Sequence, residues 1–297
     1  MLTAAQLLLV ATTVLTLIGF ACYVVAVWFS KSPARVPEPA AVGAGSGAEP
    51  TNRPREAAEA GGHGIVWLGS MLSKAAFATL TTSMVLRTID TGHAPFANHY
   101  EFAVSFCWGM LLAHLFVEWR YRVRTLAVVM LPVILGMLVY ATTLSYEAKP
   151  LMPALQNSPL LTIHVFTAAL SYGAAAVGFG AAVMYLLAPH VKWKGWPRRE
   201  LLDEIGYKAV VVTFPLLTIM IVLGSIWANV AWGRYWSWDP KETAALVTWL
   251  VYGGYLHARV TRGWRGTGSA WLLVLGFFAI LFTYFGNLFF GGLHSYA

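Results

Sequence analysis

The sequence predicts an all-α integral membrane protein with about eight transmembrane helices and both ends facing outward. Three observations predict it. Of 297 residues, 58% are hydrophobic and only 11% charged, whereas soluble domains carry about a quarter charged residues. Apolar runs of spanning length recur along the chain, and a helix needs about 20 such residues to cover ~30 Å of hydrocarbon. Lysine and arginine are sorted between alternate loops, the pattern that sets orientation. Helices are the spanning form these runs allow. Each span must satisfy its own backbone hydrogen bonds, and the runs are too continuous for the alternation of a barrel strand.

The first span lies near residues 5–28. It has no basic leading segment, and its apolar run is too long for the core of a secretory signal. Residues 31–62 are rich in Pro, Gly, Ala and Glu and read as a flexible cytoplasmic linker, with a solvated His63 just beyond. Spans two, three and four lie near 64–86, 101–118 and 124–142, with the loop DTGHAPFANHYE between the second and third. Cys22 and Cys107 fall within spans and form no CxxC pair, so both read as small packing residues. His114, within span three, reads as a core histidine.

Span five, near 160–188, places His164 four or five residues from its start, in LLTIHVFTAALSYG. Gly173, Gly178 and Gly180 in it suit close helix packing. Residues 190–207, with His190, Trp193 and Trp196 among mixed charges, read as a short interfacial helix. Span six lies near 208–231 and span seven near 241–260, and the latter contains Gly253, Gly254 and His257. An ionisable group inside a span is a functional candidate by default. Span eight lies near 269–289 and leads into GNLFFGGLHSYA, which carries His294.

With the start of the chain outside, the cytoplasmic loops hold fifteen Lys and Arg residues and the outer loops four: Arg87, Lys149, Arg234 and Lys241. The formal net charge of +7 mostly reflects this asymmetry. No basic groove or nucleic-acid signature accompanies it.

The loop WGRYWSWDPKE, residues 232–242, packs three tryptophans, a tyrosine and five charged or proline positions between two apolar runs. Tryptophan belts mark membrane interfaces, but an Asp-Pro-Lys-Glu run fits a belt poorly. Asp239 and Glu242 suit the capping of span seven, and Pro240 suits its first turn. On the predicted topology this loop shares the outer face with His164 and His294. Flat rings can stack on a macrocycle, two imidazoles can take both axial positions of an iron, and Arg234 or Lys241 can pair carboxylates. Haem is the ligand that uses all three.

These segments resemble a known family. WGRYWSWDPKETAALVTWLVY is similar to the tryptophan-rich signature of the haem-handling membrane proteins, and LLTIHVFTAALSYG and GNLFFGGLHSYA to the segments bearing their two external histidines. GHAPFANHYEF resembles the loop motif of the CcsA/ResC branch, the integral subunit of the system II cytochrome c synthetase. The resemblance runs from about residue 64 onward, which defines a haem-handling membrane domain over 64–297 after the first helix (1–30) and the linker. It implies a multi-pass protein of the plasma or inner membrane, with its active loop on the extracytoplasmic side. The implied work is carrying and presenting haem b, as substrate, and attaching it covalently to the CxxCH motif of an apocytochrome c. A ResB/CcsB-type membrane subunit is the implied partner, and the chain would act as the unfused subunit of a haem lyase. His164 and His294 would be the external axial ligands of haem iron, and His257 a histidine on an inner haem route. Trp232, Gly233, Arg234, Tyr235, Trp236, Trp238 and Asp239 would build the haem-binding loop. No catalytic nucleophile or acid is compelling. The competing readings are haem delivery or export without ligation, a b-type electron-transfer cytochrome, and a transporter with an aromatic gate. Eight spans and the GHAPFANHYE loop disfavour the delivery proteins, usually read as six-span chains. Histidines paired at one surface disfavour the cytochrome.

Overall fold

The computed structural model describes residues 1–29, 53–148, 151, 155, 159–191, 193 and 195–294; side chains at 28–29, 53–63 and 287 are not included. Among these residues the chain forms eight long helices and no strand: α1 (Leu2–Phe29), α2 (Arg53–Thr91), α3 (His99–Tyr121), α4 (Ala127–Thr143), α5 (Pro159–Leu187), α6 (Arg199–Trp232), α7 (Pro240–Arg262) and α8 (Thr267–Phe285). Short 3-10 turns occupy Arg124–Leu126, Ala188–His190 and Gly286–Leu288. Seven of the helices are long and apolar enough to cross a membrane. The chain is therefore an all-α, multi-pass membrane protein. The exception is α7, which has the length of a span at 23 residues. Gly253, Gly254, Tyr252, Tyr255, His257 and Arg259 make it less apolar than its neighbours.

Several boundaries differ from expectation, and the reason is physical. Hydropathy marks only the part of a helix that sits in hydrocarbon. Residues 53–62 of the expected linker continue α2 as helix; 30–52 lie outside the described residues, as does the His63 side chain. The expected interfacial helix over 190–207 does not form as a separate element among the described residues. A 3-10 turn covers Ala188–His190, and from Arg199 the chain is already α6. The extended Arg198 is the N-cap of that start, and the Trp196 indole N–H donates to the Met184 carbonyl, pinning the turn to α5.

Small residues set the closest helix approach. A Cβ at Gly109 on α3 would lie 2.2 Å from the Ala169 carbonyl oxygen of α5, and one at Gly173 would lie 2.2 Å from the Gly109 carbonyl oxygen. Around this contact sits a continuous core that includes Phe106, Met110, Leu131, Ile134, Ala176, Tyr252 and Phe277. α1 packs along α2, joined by Thr12 and Thr79 hydroxyls at 2.8 Å and by Ser83 donating to the Ala5 carbonyl.

Polar contacts sort the loops to two ends of the bundle. At one end Arg87 of α2 donates to Glu101 of α3 at 2.7 Å and to the Tyr146 carbonyl at 2.7 Å, and lies over the Tyr100 ring. Glu101 also accepts from the Ala97 N–H, so this buried pair shapes the GHAPFANHYE loop. Asn98 caps α3 by accepting from the Glu101 N–H. Tyr284 near the end of α8 donates to the His99 carbonyl there. At the opposite end, Arg259 of α7 grips Asp203 of α6 with two bonds of 2.8 and 2.6 Å and also bonds the Trp264 carbonyl. His114 is buried in α3 with Nε2 3.7 Å from Glu118, which accepts from Tyr23 of α1 and lies near Arg124. Cys22 and Cys107 are free thiols.

Candidate functional site

The loop between α6 and α7 begins where α6 must stop. Gly233 takes φ +72°, and its N–H bonds the Asn229 carbonyl, a left-handed helix end that glycine reaches without steric cost. The loop ends in a capping box. Asp239 Oδ1 accepts from the Lys241 N–H at 3.0 Å, while Glu242 Oε2 accepts from the Ser237 and Asp239 N–H groups at 2.8 and 3.2 Å. Pro240 opens α7 as expected.

Beside this loop lies an open-sided cavity of about 960 Å³, its solvent-open part included. His164 on α5 and His294, after α8, both line it, although 130 positions separate them. Phe102, Phe106, Tyr172, Trp227, Tyr235, Trp236 and Tyr284 supply aromatic wall, and Lys241 and Glu242 supply charge. Lys241 Nζ sits 4.7 Å over the Phe102 ring.

Each histidine is held through Nδ1. His164 Nδ1 lies 2.7 Å from the Met220 carbonyl of α6. A carbonyl only accepts, so Nδ1 carries the proton, and metal coordination falls to Nε2. The α6 backbone approaches so closely that a Cβ at Gly224 would lie 2.6 Å from His164 Cε1. His294 Nδ1 lies 2.8 Å from Asp239 Oδ1, and Asp239 Oδ2 accepts from the Leu293 N–H at 2.6 Å. The Trp232 ring stands edge-on to the His294 ring at 4.9 Å and to Trp227 at 4.8 Å. Burial raises the Asp239 carboxyl. The hydrogen bond from His294, its electrostatic pull and the Lys241 and Leu293 N–H groups outweigh that and hold it at about 2.

The expected loop residues divide into groups. Tyr235 and Trp236 line the cavity. Trp232 lies behind His294, and Asp239 grips it. Gly233 ends α6, and Arg234 is exposed. Trp238 is 69% exposed at φ +57°, its ring edge-on to Trp236. His257 is not brought to this cavity. It lies toward the opposite end of α7, exposed on a face shared with Leu250 and Gly254. Sequence reasoning missed Trp227, Gly224, the Met220 carbonyl and Gly292. Only Gly292 carried a signal, as one of a glycine pair just before His294.

Fold and site together define a multi-pass helical membrane protein whose two histidines, one in a span and one beyond the last helix, meet in an aromatic cavity. Residues 96–294 match the family described as Cytochrome C assembly protein. The chain belongs to that family, and its role lies in cytochrome c biogenesis. It is 36% identical to the cytochrome c biogenesis protein CcsA of Guillardia theta over 261 residues, covering 78% of this chain and 86% of that one. It is 35% identical to the CcsA of Gloeobacter violaceus, covering 77% and 86%. Among solved structures, cytochrome c haem lyase CcmF superposes with a TM-score of 0.63 at 18% identity, covering 96% of this chain and 46% of that chain. At that identity the likeness is one of fold.

Proposed function

We propose that this chain carries haem b to the outer face of the plasma or inner membrane and presents it there for covalent attachment to a CxxCH apocytochrome c, working with a ResB/CcsB-type subunit. The observation that carries this reading is the meeting of His164 and His294 on one aromatic cavity, each held through Nδ1 so that Nε2 faces the role of iron ligand. Haem is the substrate, and it brings the vinyl groups that the apocytochrome thiols attack. Each thiol adds across a vinyl double bond, sulfur to one carbon and hydrogen to the other, with no net electron transfer. The protein's part is positioning. The two imidazoles fix the ring, the aromatic wall holds its faces and excludes water, and Lys241 pairs a propionate. His257, exposed on α7, takes the inner haem position, with its second ligand from the partner subunit. The positive-inside bias supports placing the tryptophan loop outside.

The test uses the complex purified with its partner. His164→Ala and His294→Ala should each weaken the low-spin haem spectrum, and added imidazole should partly restore it. Unchanged spectra in both variants would sink the ligand assignment. Co-expression with a CxxCH apocytochrome separates ligation from delivery: haem bound without covalent product would leave a delivery protein.

A further inference from the structure

Asp239 does more than cap a helix. Its two oxygens collect three donors from two distant parts of the chain. Oδ1 accepts from the Lys241 N–H at the start of α7 and from His294 Nδ1, while Oδ2 accepts from the Leu293 backbone. The side chain is 2% exposed. An ionised carboxylate only accepts, so the shared proton resides on Nδ1, and the ring is fixed in one tautomer and one orientation. The neighbouring backbone is shaped for this contact. A Cβ at Gly292 would lie 2.2 Å from Asp239 Oδ2 and 3.0 Å from Pro240 Cδ, so the segment reaches the carboxylate only because residue 292 is glycine. Trp232 closes the other side of the imidazole. His164, by contrast, is oriented by a neutral carbonyl.

We propose that Asp239 is a positioning residue of the haem site, acting through His294: it locks the imidazole with Nε2 toward the iron and strengthens it as a donor. This rests on the reading that His294 ligates haem iron. A carboxylate behind a ligating imidazole raises ligand basicity, and loss of such a partner typically costs about 10–100-fold in metal affinity. A stronger donor favours ferric over ferrous iron, so the bound haem sits at a lower potential than the same pair of imidazoles would give alone.

The experiment compares wild type, Asp239→Asn, Gly292→Ala and His294→Ala in the full complex with its partner, reading haem retention and the midpoint potential of the external haem. Asparagine caps helices as well as aspartate, so the first variant keeps α7 while removing the charge and setting an amide N–H₂ against the Leu293 N–H. Gly292→Ala leaves carboxylate and imidazole chemically intact and pushes them apart. Both variants should retain haem about tenfold less well. Both should also raise the midpoint potential, by about 59 mV for each tenfold loss of ferric preference. A cap acting only on helix stability would leave the potential unmoved. Unchanged potential and retention in both, with external ligation lost in His294→Ala, would overturn the role of Asp239 while the ligand assignment stood. An unchanged spectrum in His294→Ala would remove the ligand assignment and this proposal with it.

Discussion

Gly224 shows how one missing methyl group can set a site. The α6 backbone passes so close to His164 that any Cβ there would meet the ring at 2.6 Å. Gly224→Ala should therefore displace the imidazole from the Met220 carbonyl and cost haem retention about tenfold, near the low end of second-sphere losses. Helical content should remain that of wild type by circular dichroism. Equal retention would mean that α6 yields instead of the ring. The histidines were legible in the sequence because an ionisable ring in or beside an apolar run is conspicuous. Their supports were not. A backbone carbonyl has no residue-type signature, and Trp227 looks like any apolar residue until α5, α6 and the segment after α8 are brought together. Ring direction in the tryptophan loop was equally hidden. Trp238 points outward and Trp232 backs His294 because of local backbone turns, which composition does not encode.

At the level of elements, α3 and α5 are held by mutual access to backbone. Gly109 and Gly173 face each other so that each would drive a Cβ into the opposing chain at 2.2 Å. Backbone cannot step aside as a flexible side chain can. Gly109→Ala and Gly173→Ala should each destabilise by about 1–3 kcal/mol or more, the usual cost of overpacking, seen as a lower melting temperature of the purified protein. Gly136→Ala on α4 is the contrast. Nothing lies within 4 Å of its added carbon, and alanine in a helix interior is favoured by roughly 0.5–1 kcal/mol, so its melting temperature should hold or rise. If all three variants melted alike, the α3–α5 contact would not be the limiting one. The eight expected spans appear as eight helices in order; apolar length marks seven of them, and α7 is the exception. The helices α2 and α6 begin at Arg53 and Arg199, before the spans expected near 64 and 208, because helix beyond the hydrocarbon is polar and leaves no apolar trace; the apolar span within α2 does begin at Gly64. The capping of α7 was legible, since Asp-Pro-Lys-Glu meets the requirements of a helix start residue by residue.

For the molecule as a whole, the polar contacts place the GHAPFANHYE loop, the tryptophan loop and His294 at one end, and the Asp203–Arg259 pair and the Trp196 turn at the other. Which end faces outward is testable with Cys22 and Cys107 replaced by alanine. In intact cells a membrane-impermeant maleimide should label Arg234→Cys and spare Trp264→Cys, since Arg234 shares the loop of Asp239 and Trp264 sits beside Arg259. The reverse pattern would invert the orientation and the reading built on it. One feature of α7 then takes on meaning at this scale. Asp239 caps its first turn and grips His294, while His257 lies seventeen positions after Pro240, about 26 Å along the axis at 1.5 Å per residue. That is nearly the hydrocarbon thickness of ~30 Å. On the reading proposed above, one rod sets the distance between the outer and inner histidines, and that distance is too long for one haem to be gripped at both. Passage would then be a relay with a release in the middle, and deleting one turn of α7 should bring the two positions about 5.4 Å closer.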